Sequence, residues 1–295
     1  MSSTTPHRAG FVSLLGAPNA GKSTLFNVLV GKPLAIATPK VQTTRHRTIG
    51  VYTDDNIQVV YSDTPGVIRP AYRLQEAMMQ SVHQARRDAD LLIWVHDAAH
   101  SVHPQHGVLQ SSDSSVAILV LLNKADLVDP VALDESVQAW REAYPRATVL
   151  AASAKHPETV EMLRSHIHNA LPAHPPYYAS DALTDRPERF FAAEILREKI
   201  FLFYRKEVPY CTEVGIDSFE QHGDLIRIAA TIRVERQSQR RILIGNGGSK
   251  LKQIGTAARK DLAAFFEKRI FLTQYVRVVS GWRNDKKRLE QFGYL

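Results

Sequence analysis

The sequence predicts two domains: a doubly wound α/β domain with a mainly parallel sheet, then a smaller α+β domain. Two apolar runs, 91–95 and 116–122, are nearly continuous and are separated from other such runs by helical stretches. Strands buried on both faces of a parallel sheet have that pattern. Leu171-Pro172-Ala173-His174-Pro175-Pro176 then breaks both helix and strand periodicity. Beyond it the order changes to helix, strand, strand, helix, strand. A chain of 295 residues has room for two such units.

Each element follows from local pattern. Residues 11–15 are an apolar strand, and Leu25, Leu29 and Val30 give the next segment helical spacing from Lys22. Residues 33–48 are polar without a clear period, the mark of a long functional loop. Strands at 49–53 and 57–62 flank Asp54-Asp55-Asn56, a hairpin signal. A helix over 73–87, a helix over 132–143, a strand at 148–152 and a helix over 158–170 complete the first unit. Domain bounds are expected at 1–172 and 187–295, with a proline-rich linker over 173–186. Pro187 opens a helix with Phe191, Ile195, Leu196, Ile200 and Phe203 on one stripe. Strands at 213–220 and 226–234, a helix over 250–266, a strand at 273–279 and a terminal helix follow.

Composition narrows the class. A single cysteine, Cys211, cannot form an internal disulfide and suits a reducing compartment. Residues 1–10 carry no apolar core of a leader, and no run of 18 apolar residues exists, so a cytoplasmic protein is expected. The formal charge of +7 is unevenly placed: residues 226–288 hold 16 Lys and Arg against 4 Asp and Glu. The rest of the chain is net negative, so a polyanionic partner belongs to the C-terminal part.

The chemistry starts at Gly16-Ala17-Pro18-Asn19-Ala20-Gly21-Lys22-Ser23-Thr24, a glycine-rich turn between strand and helix with the spacing G-x-x-x-x-G-K-[ST]. Backbone N–H groups there can converge on phosphate oxygens, and the helix N-terminus adds partial positive charge. Lys22 would reach the β- and γ-phosphates, and the Ser23 hydroxyl would ligate Mg²⁺. Asp63-Thr64-Pro65-Gly66 ends a strand, placing Asp63 to hold Mg²⁺ through water and the Gly66 N–H near the γ-phosphate. Within Gln42-Thr43-Thr44-Arg45-His46, the Thr44 hydroxyl can complete the Mg²⁺ shell when the γ-phosphate is present. Asn123-Lys124-Ala125-Asp126 ends another strand, and a carboxylate there can accept from guanine N1–H and the 2-amino group. Adenine offers no such pair, so Asp126 predicts GTP and GDP over adenine nucleotides. Ser153-Ala154-Lys155 suits backbone contact to the guanine O6. Lys22, Thr44, Asp63 and Gly66 form the candidate catalytic set.

In the second half, Arg240-Arg241-Ile242-Leu243-Ile244-Gly245-Asn246-Gly247-Gly248-Ser249-Lys250-Leu251-Lys252 has a GxxG turn between apolar and basic residues. This resembles the loop of a KH domain of type II, where glycines let a nucleic-acid backbone approach and an apolar groove takes bases. Candidate RNA contacts are Arg236, Arg240, Arg241 and Ile244, the loop Gly245 to Gly248 with Asn246 and Gly247 at its centre, and Lys250, Lys252 and Arg259.

A P-loop GTPase joined to a KH domain resembles the Era family over essentially the whole chain. The resemblance implies GTP hydrolysis coupled to binding small-subunit ribosomal RNA near its 3′ end during assembly of the small ribosomal subunit. It also implies a monomer with peripheral contact at the inner face of the cell membrane. One departure is Asn246-Gly247, where relatives usually carry a basic residue. Val67 stands after Gly66, where many GTPases hold a water-orienting Gln. Asn19 resembles the K⁺-coordinating Asn of cation-dependent relatives, with Thr38, Lys40 and Thr43 adding oxygens, mostly from the backbone. Two other classes stay open: a GTP-sensing RNA chaperone with little turnover, which Val67 favours, and a membrane-surface GTPase, against which the GxxG segment counts. His96, His100, His103 and His106 are expected to be surface histidines, for no cysteine or fixed ligand spacing accompanies them.

Overall fold

The computed structural model describes residues 7–100, 109 and 116–295, and these form two compact units. Of the described residues, unit 1 gathers those up to Arg69 and those from Met78 to Asp185, and unit 2 gathers Pro70–Ala77 with Arg186–Leu295.

Unit 1 is a six-stranded sheet: β1 (Arg8–Leu15), β2 (Thr48–Thr53), β3 (Ile57–Asp63), β4 (Leu91–Asp97), β5 (Ala117–Asn123) and β6 (Thr148–Ala151). Their spatial order is β2-β3-β1-β4-β5-β6, with β2 and β3 antiparallel and the remaining pairs parallel. This is the doubly wound arrangement with one hairpin that the apolar runs predict. The order reverses at β1, so the C-terminal ends of β1, β3, β4 and β5 open onto one crevice. Its helices among the described residues include α1 (Lys22–Val30), the part of α2 (Arg73–Arg87) from Met78 on, α3 (Pro130–Ala143) and α4 (Pro157–Ala170). α3 starts cleanly because the Asp129 carboxylate accepts from the Val131 N–H at 2.9 Å and Pro130 takes the first helical position.

The stretch expected between the domains is laid along unit 1 as far as residue 185. The Gln58 side chain accepts from the Tyr177 and Tyr178 N–H groups at 2.7 and 2.8 Å. The Val51 N–H donates to the Leu183 carbonyl at 2.8 Å, and the Thr184 hydroxyl donates to the Ile49 carbonyl at 2.7 Å. The last two bonds occupy part of edge strand β2 that would otherwise be open.

Unit 2 has α5 (Glu188–Phe203), β7 (Glu213–His222), β8 (Leu225–Val234), α6 (Gln237–Ile244), α7 (Ser249–Phe266), β9 (Arg269–Val278) and a short α8 (Lys286–Gln291). β8 is the central strand, antiparallel to β7 and parallel to β9. Ile226, Ile228, Ile232, Leu243, Ile254 and Leu262 are buried in one core with Leu196 and Ile200 of α5. Two elements differ from expectation. α6 is a separate helix, and β9 begins at Arg269 rather than 273. Within the same unit, the Tyr72 ring lies 4.8 Å from the Arg283 guanidinium carbon.

Candidate nucleotide and RNA sites

The phosphate loop joins β1 to α1 and reverses direction through positive φ at Gly16 (147°), Asn19 (65°) and Gly21 (96°). A Cβ on Gly16 would lie 2.1 Å from the Val95 carbonyl oxygen, and one on Gly21 would lie 2.2 Å from Asn123 Nδ2. Neither position has space for a side chain. The Asn123 amide donates to the Ala20 carbonyl at 2.8 Å and accepts from the Ala154 N–H at 2.9 Å. One side chain therefore fixes the phosphate loop to the 153–155 segment, 103 and 31 residues away respectively.

Lys22, Ser23 and Thr44 line a cleft of about 390 Å³ walled by the phosphate loop and the 33–48 loop. Lys22 is buried, and its ammonium donates to the Gly16 and Ala17 carbonyls at 3.1 and 2.8 Å. Burial pulls its pKa down to about 8, against the opposing charge of Asp63. Asp63 is fully buried, which pushes it up to about 6 despite the Ser23 hydroxyl, Lys22 and the Thr44 hydroxyl. Ser23 Oγ donates to Asp63 Oδ2 at 2.7 Å and lies 2.9 Å from Thr44 Oγ1. Asp63 Oδ1 is buried without a hydrogen-bond partner.

Two hydroxyls and a carboxylate with one unpartnered oxygen are the hard oxygen donors that Mg²⁺ takes, so Ser23, Thr44 and Asp63 fit that cation. Gly66 is buried beside Pro18, and the Val67 N–H donates to the Gly16 carbonyl at 3.0 Å. Thr64 hands its hydroxyl hydrogen to the Leu14 carbonyl at 2.7 Å, which fixes the turn at Pro65.

The 33–48 loop is anchored at its start and meets the phosphate loop near its middle. The Asn27 amide both donates to the Ala35 carbonyl (2.7 Å) and accepts from its N–H (2.8 Å). Asn19 Nδ2 donates to the Pro39 carbonyl at 2.8 Å. Thr38 Oγ1 lies 2.6 Å from Thr43 Oγ1, which donates to the Lys40 carbonyl at 2.8 Å. The four residues considered for K⁺ thus line one part of the cleft, with Thr24 on the α1 side.

At the base end, Asp126 is exposed on a short turn after β5, and the Ser153 hydroxyl beside it holds its carboxyl below the usual range. Lys124 adopts a φ of 63° and donates to Asp97 Oδ2 at 2.5 Å and to the Asn19 carbonyl at 2.9 Å. Asp97 is a site residue that the motifs do not reveal. Burial works against its ionisation, but Lys124 and the Ala99 N–H hold its carboxyl below the usual range. Lys155 is exposed beside the buried Ala154. Of the histidines, His96 packs on Trp140 at 5.3 Å and His100 is exposed; His103 and His106 lie outside the described residues. Among the described residues no cluster of His, Cys, Asp and Glu could hold a metal ion.

In unit 2, Gly245 (φ 71°), Gly247 (56°) and Gly248 (79°) turn the chain from α6 into α7. A Cβ on Gly247 or Gly248 would meet nothing within 4 Å. Arg236, Arg241, Asn246, Lys250, Lys252 and Arg259 are exposed, and Ile244 is half-buried at the end of α6. Arg240 differs: its Nε–H donates to the Val276 carbonyl at 3.1 Å and ties α6 to β9. The arrangement offers an open glycine turn flanked by cations, suited to a phosphodiester backbone.

A family model described as a 50S ribosome-binding GTPase matches residues 11–124, and one described as a KH domain matches 207–283. The chain is 41% identical to the GTPase Era of Syntrophus aciditrophicus over 97% of its length and 95% of the relative. It is 40% identical to that of Geobacter metallireducens over 99% of both. Aquifex aeolicus Era bound to GDP and aluminium fluoride superposes with a TM-score of 0.92 at 31% identity, covering 97% of this chain and 99% of that one. An Era structure in complex with MgGDPNP and nucleotides 1506–1542 of 16S ribosomal RNA gives the same score and identity over 98% and 99%.

Proposed function

The chain belongs to the Era family of GTPases, and on that footing we propose that it binds the 3′ end of small-subunit ribosomal RNA during subunit assembly, hydrolysing GTP. The observation that carries the nucleotide half is the Ser23–Thr44–Asp63 cluster beside buried Lys22. Lys22 would neutralise charge on the β- and γ-phosphates, and the loop N–H groups would hold the remaining oxygens. Ser23, Thr44 and Asp63 would hold Mg²⁺, whose positive charge would offset the negative charge that develops in transfer. Gly66 would present its N–H to the γ-phosphate. The Val67 side chain has no polar atom to orient water, so rate would depend on positioned charge rather than on a side-chain base there. Asn19, Thr38, Lys40 and Thr43 are the proposed holders of a K⁺ that adds to that charge.

The RNA half rests on the Gly245–Gly248 turn and its exposed cations. Among the described residues no helix is long and apolar enough to cross a membrane. A cytoplasmic site of action, with peripheral contact at the membrane face, is part of the same proposal. The domain bounds proposed are 1–172 and 187–295.

The test has two arms. Multiple-turnover phosphate release with Mg²⁺ and K⁺ should exceed one equivalent per protein, and a single equivalent would favour the GTP-sensing chaperone. Crosslinking to total cellular RNA should recover small-subunit 3′-end fragments; recovery of large-subunit RNA alone would sink the RNA assignment.

A further inference from the structure

Asp97 ends β4 and belongs to none of the nucleotide motifs, yet it holds a lysine of one of them. The parallel register of β4 and β5 sets Asp97 opposite Asn123, so the next residue, Lys124, leaves the sheet beside it. Lys124 turns there at a φ of 63°, a conformation sparsely populated by residues with a side chain. Its ammonium donates to Asp97 Oδ2 at 2.5 Å and to the Asn19 carbonyl at 2.9 Å. The Asp97 side chain is only 11% exposed, so the pair is shielded from water on the carboxylate side.

The two carboxylate oxygens have different duties. Oδ1 accepts from the Ala99 N–H at 3.1 Å and closes the turn that follows β4. Oδ2 takes the lysine, with the mostly exposed His100 Nδ1 at 3.2 Å on its outer side. Beyond Lys124 stands Asn19, itself at a φ of 65° in the phosphate loop. The Asn19 carbonyl receives the ammonium, and its amide donates to the Pro39 carbonyl of the 33–48 loop at 2.8 Å. One line of contacts therefore runs from the end of β4, through the base motif, to both loops that wall the cleft. A long side chain loses much rotamer freedom when a ligand orders it, whereas one already pinned at its ammonium loses little.

Given the guanine-nucleotide site proposed above, we propose that Asp97 is a positioning residue for nucleotide binding. It pins the Lys124 ammonium on the Asn19 carbonyl and so preorganises the base motif and the phosphate loop together. Its effect passes through Lys124 alone.

The test is a double-mutant cycle on the full chain, read as the GDP dissociation constant in Mg²⁺ by calorimetry. Asp97→Asn keeps an oxygen for the Ala99 N–H and sets an amide NH₂ against the Lys124 ammonium, so the turn should survive and the pair should not. GDP binding should weaken about tenfold, the size of a lost hydrogen bond to a charged group. Lys124→Met should also weaken it, and adding Asp97→Asn to that variant should change it by less than about twofold. An Asp97 that only supports the fold would weaken GDP binding by the same factor in both backgrounds. Asp97→Ser, whose hydroxyl can also meet the Ala99 N–H, runs the same cycle if the Asn variant melts below the assay temperature. Unchanged GDP affinity on removing the carboxylate, or equal factors in the two backgrounds, would overturn the proposal while leaving the nucleotide site in place. A parent chain that binds no GDP would overturn the nucleotide site and this role with it.

Discussion

Two glycine turns feed helices in this chain, and they are glycine-rich for different reasons. In the phosphate loop the protein itself excludes a side chain: Val95 and Asn123 stand 2.1 and 2.2 Å from where a Cβ would be. In the loop before α7, Gly247 and Gly248 face open space and need glycine only for φ of 56° and 79°. The first turn is determined by its own fold, and the second leaves room that a partner's backbone can enter. Substitutions should therefore damage folding in one loop and binding in the other.

The largest effect should come from Gly16→Ala. Its methyl group would collide with the backbone of β4, which cannot retreat without breaking the sheet, so unit 1 should lose on the order of 4 kcal/mol or more. Thermal unfolding and nucleotide binding should fail together; a folded, GTP-binding variant would contradict the packing account. Next comes Asp126→Asn, which should weaken GTP binding by roughly a hundredfold while improving that of xanthosine triphosphate. Competition binding with the two nucleotides measures both, and unchanged GTP affinity would remove Asp126 from base recognition.

Gly248→Asp makes the opposite kind of change. Aspartate tolerates a positive φ at a cost of about 1 kcal/mol, so the domain should fold. Its charge should lower RNA affinity about tenfold in a filter-binding assay, with GTP affinity intact. Loss of GTP binding with RNA binding retained would refute the division of labour. The smallest effect belongs to Asn19→Ala. Hydrolysis by the parent should be a few-fold faster in K⁺ than in Na⁺ at equal ionic strength, and the variant should lose that difference. Equal parental rates in the two salts would exclude K⁺ from the reaction.

Much of the fold was legible because period and punctuation agreed. β4 and β5 read as buried strands from unbroken apolar runs, and Lys22–Val30 read as a helix from three apolar positions after a glycine turn. α6 was not legible as a separate helix, for it is short and four of its first five residues are Gln or Arg. The start of β9 is hidden in the sequence because Phe271, an apolar residue, lies on the exposed face beside buried Ile270 and blurs the alternation.

The site motifs were readable because each clusters within a few residues. Asp97 was not, because its partnership with Lys124 depends on the parallel β4–β5 register that sets Asp97 opposite Asn123. Gln58 is similar: its bonds to Tyr177 and Tyr178 span about 120 residues and have no local signature.

The central claim is that the two dissimilar turns work together, so that nucleotide state sets RNA binding. Chain continuity gives it a basis, since Gly66 lies four residues before Pro70–Ala77, which clusters with unit 2. Linkage requires that any change in RNA affinity between nucleotide states be matched by an equal change in nucleotide preference, typically about 1–3 kcal/mol. The measurement is the affinity of the full chain for a small-subunit RNA 3′-end fragment, loaded with a non-hydrolysable GTP analogue and then with GDP. Binding at least fivefold tighter in the GTP-analogue state, with the fragment favouring the analogue over GDP by the same factor, is the result predicted. Equal RNA affinity in both states would contradict it and leave two turns that share a chain but not a function.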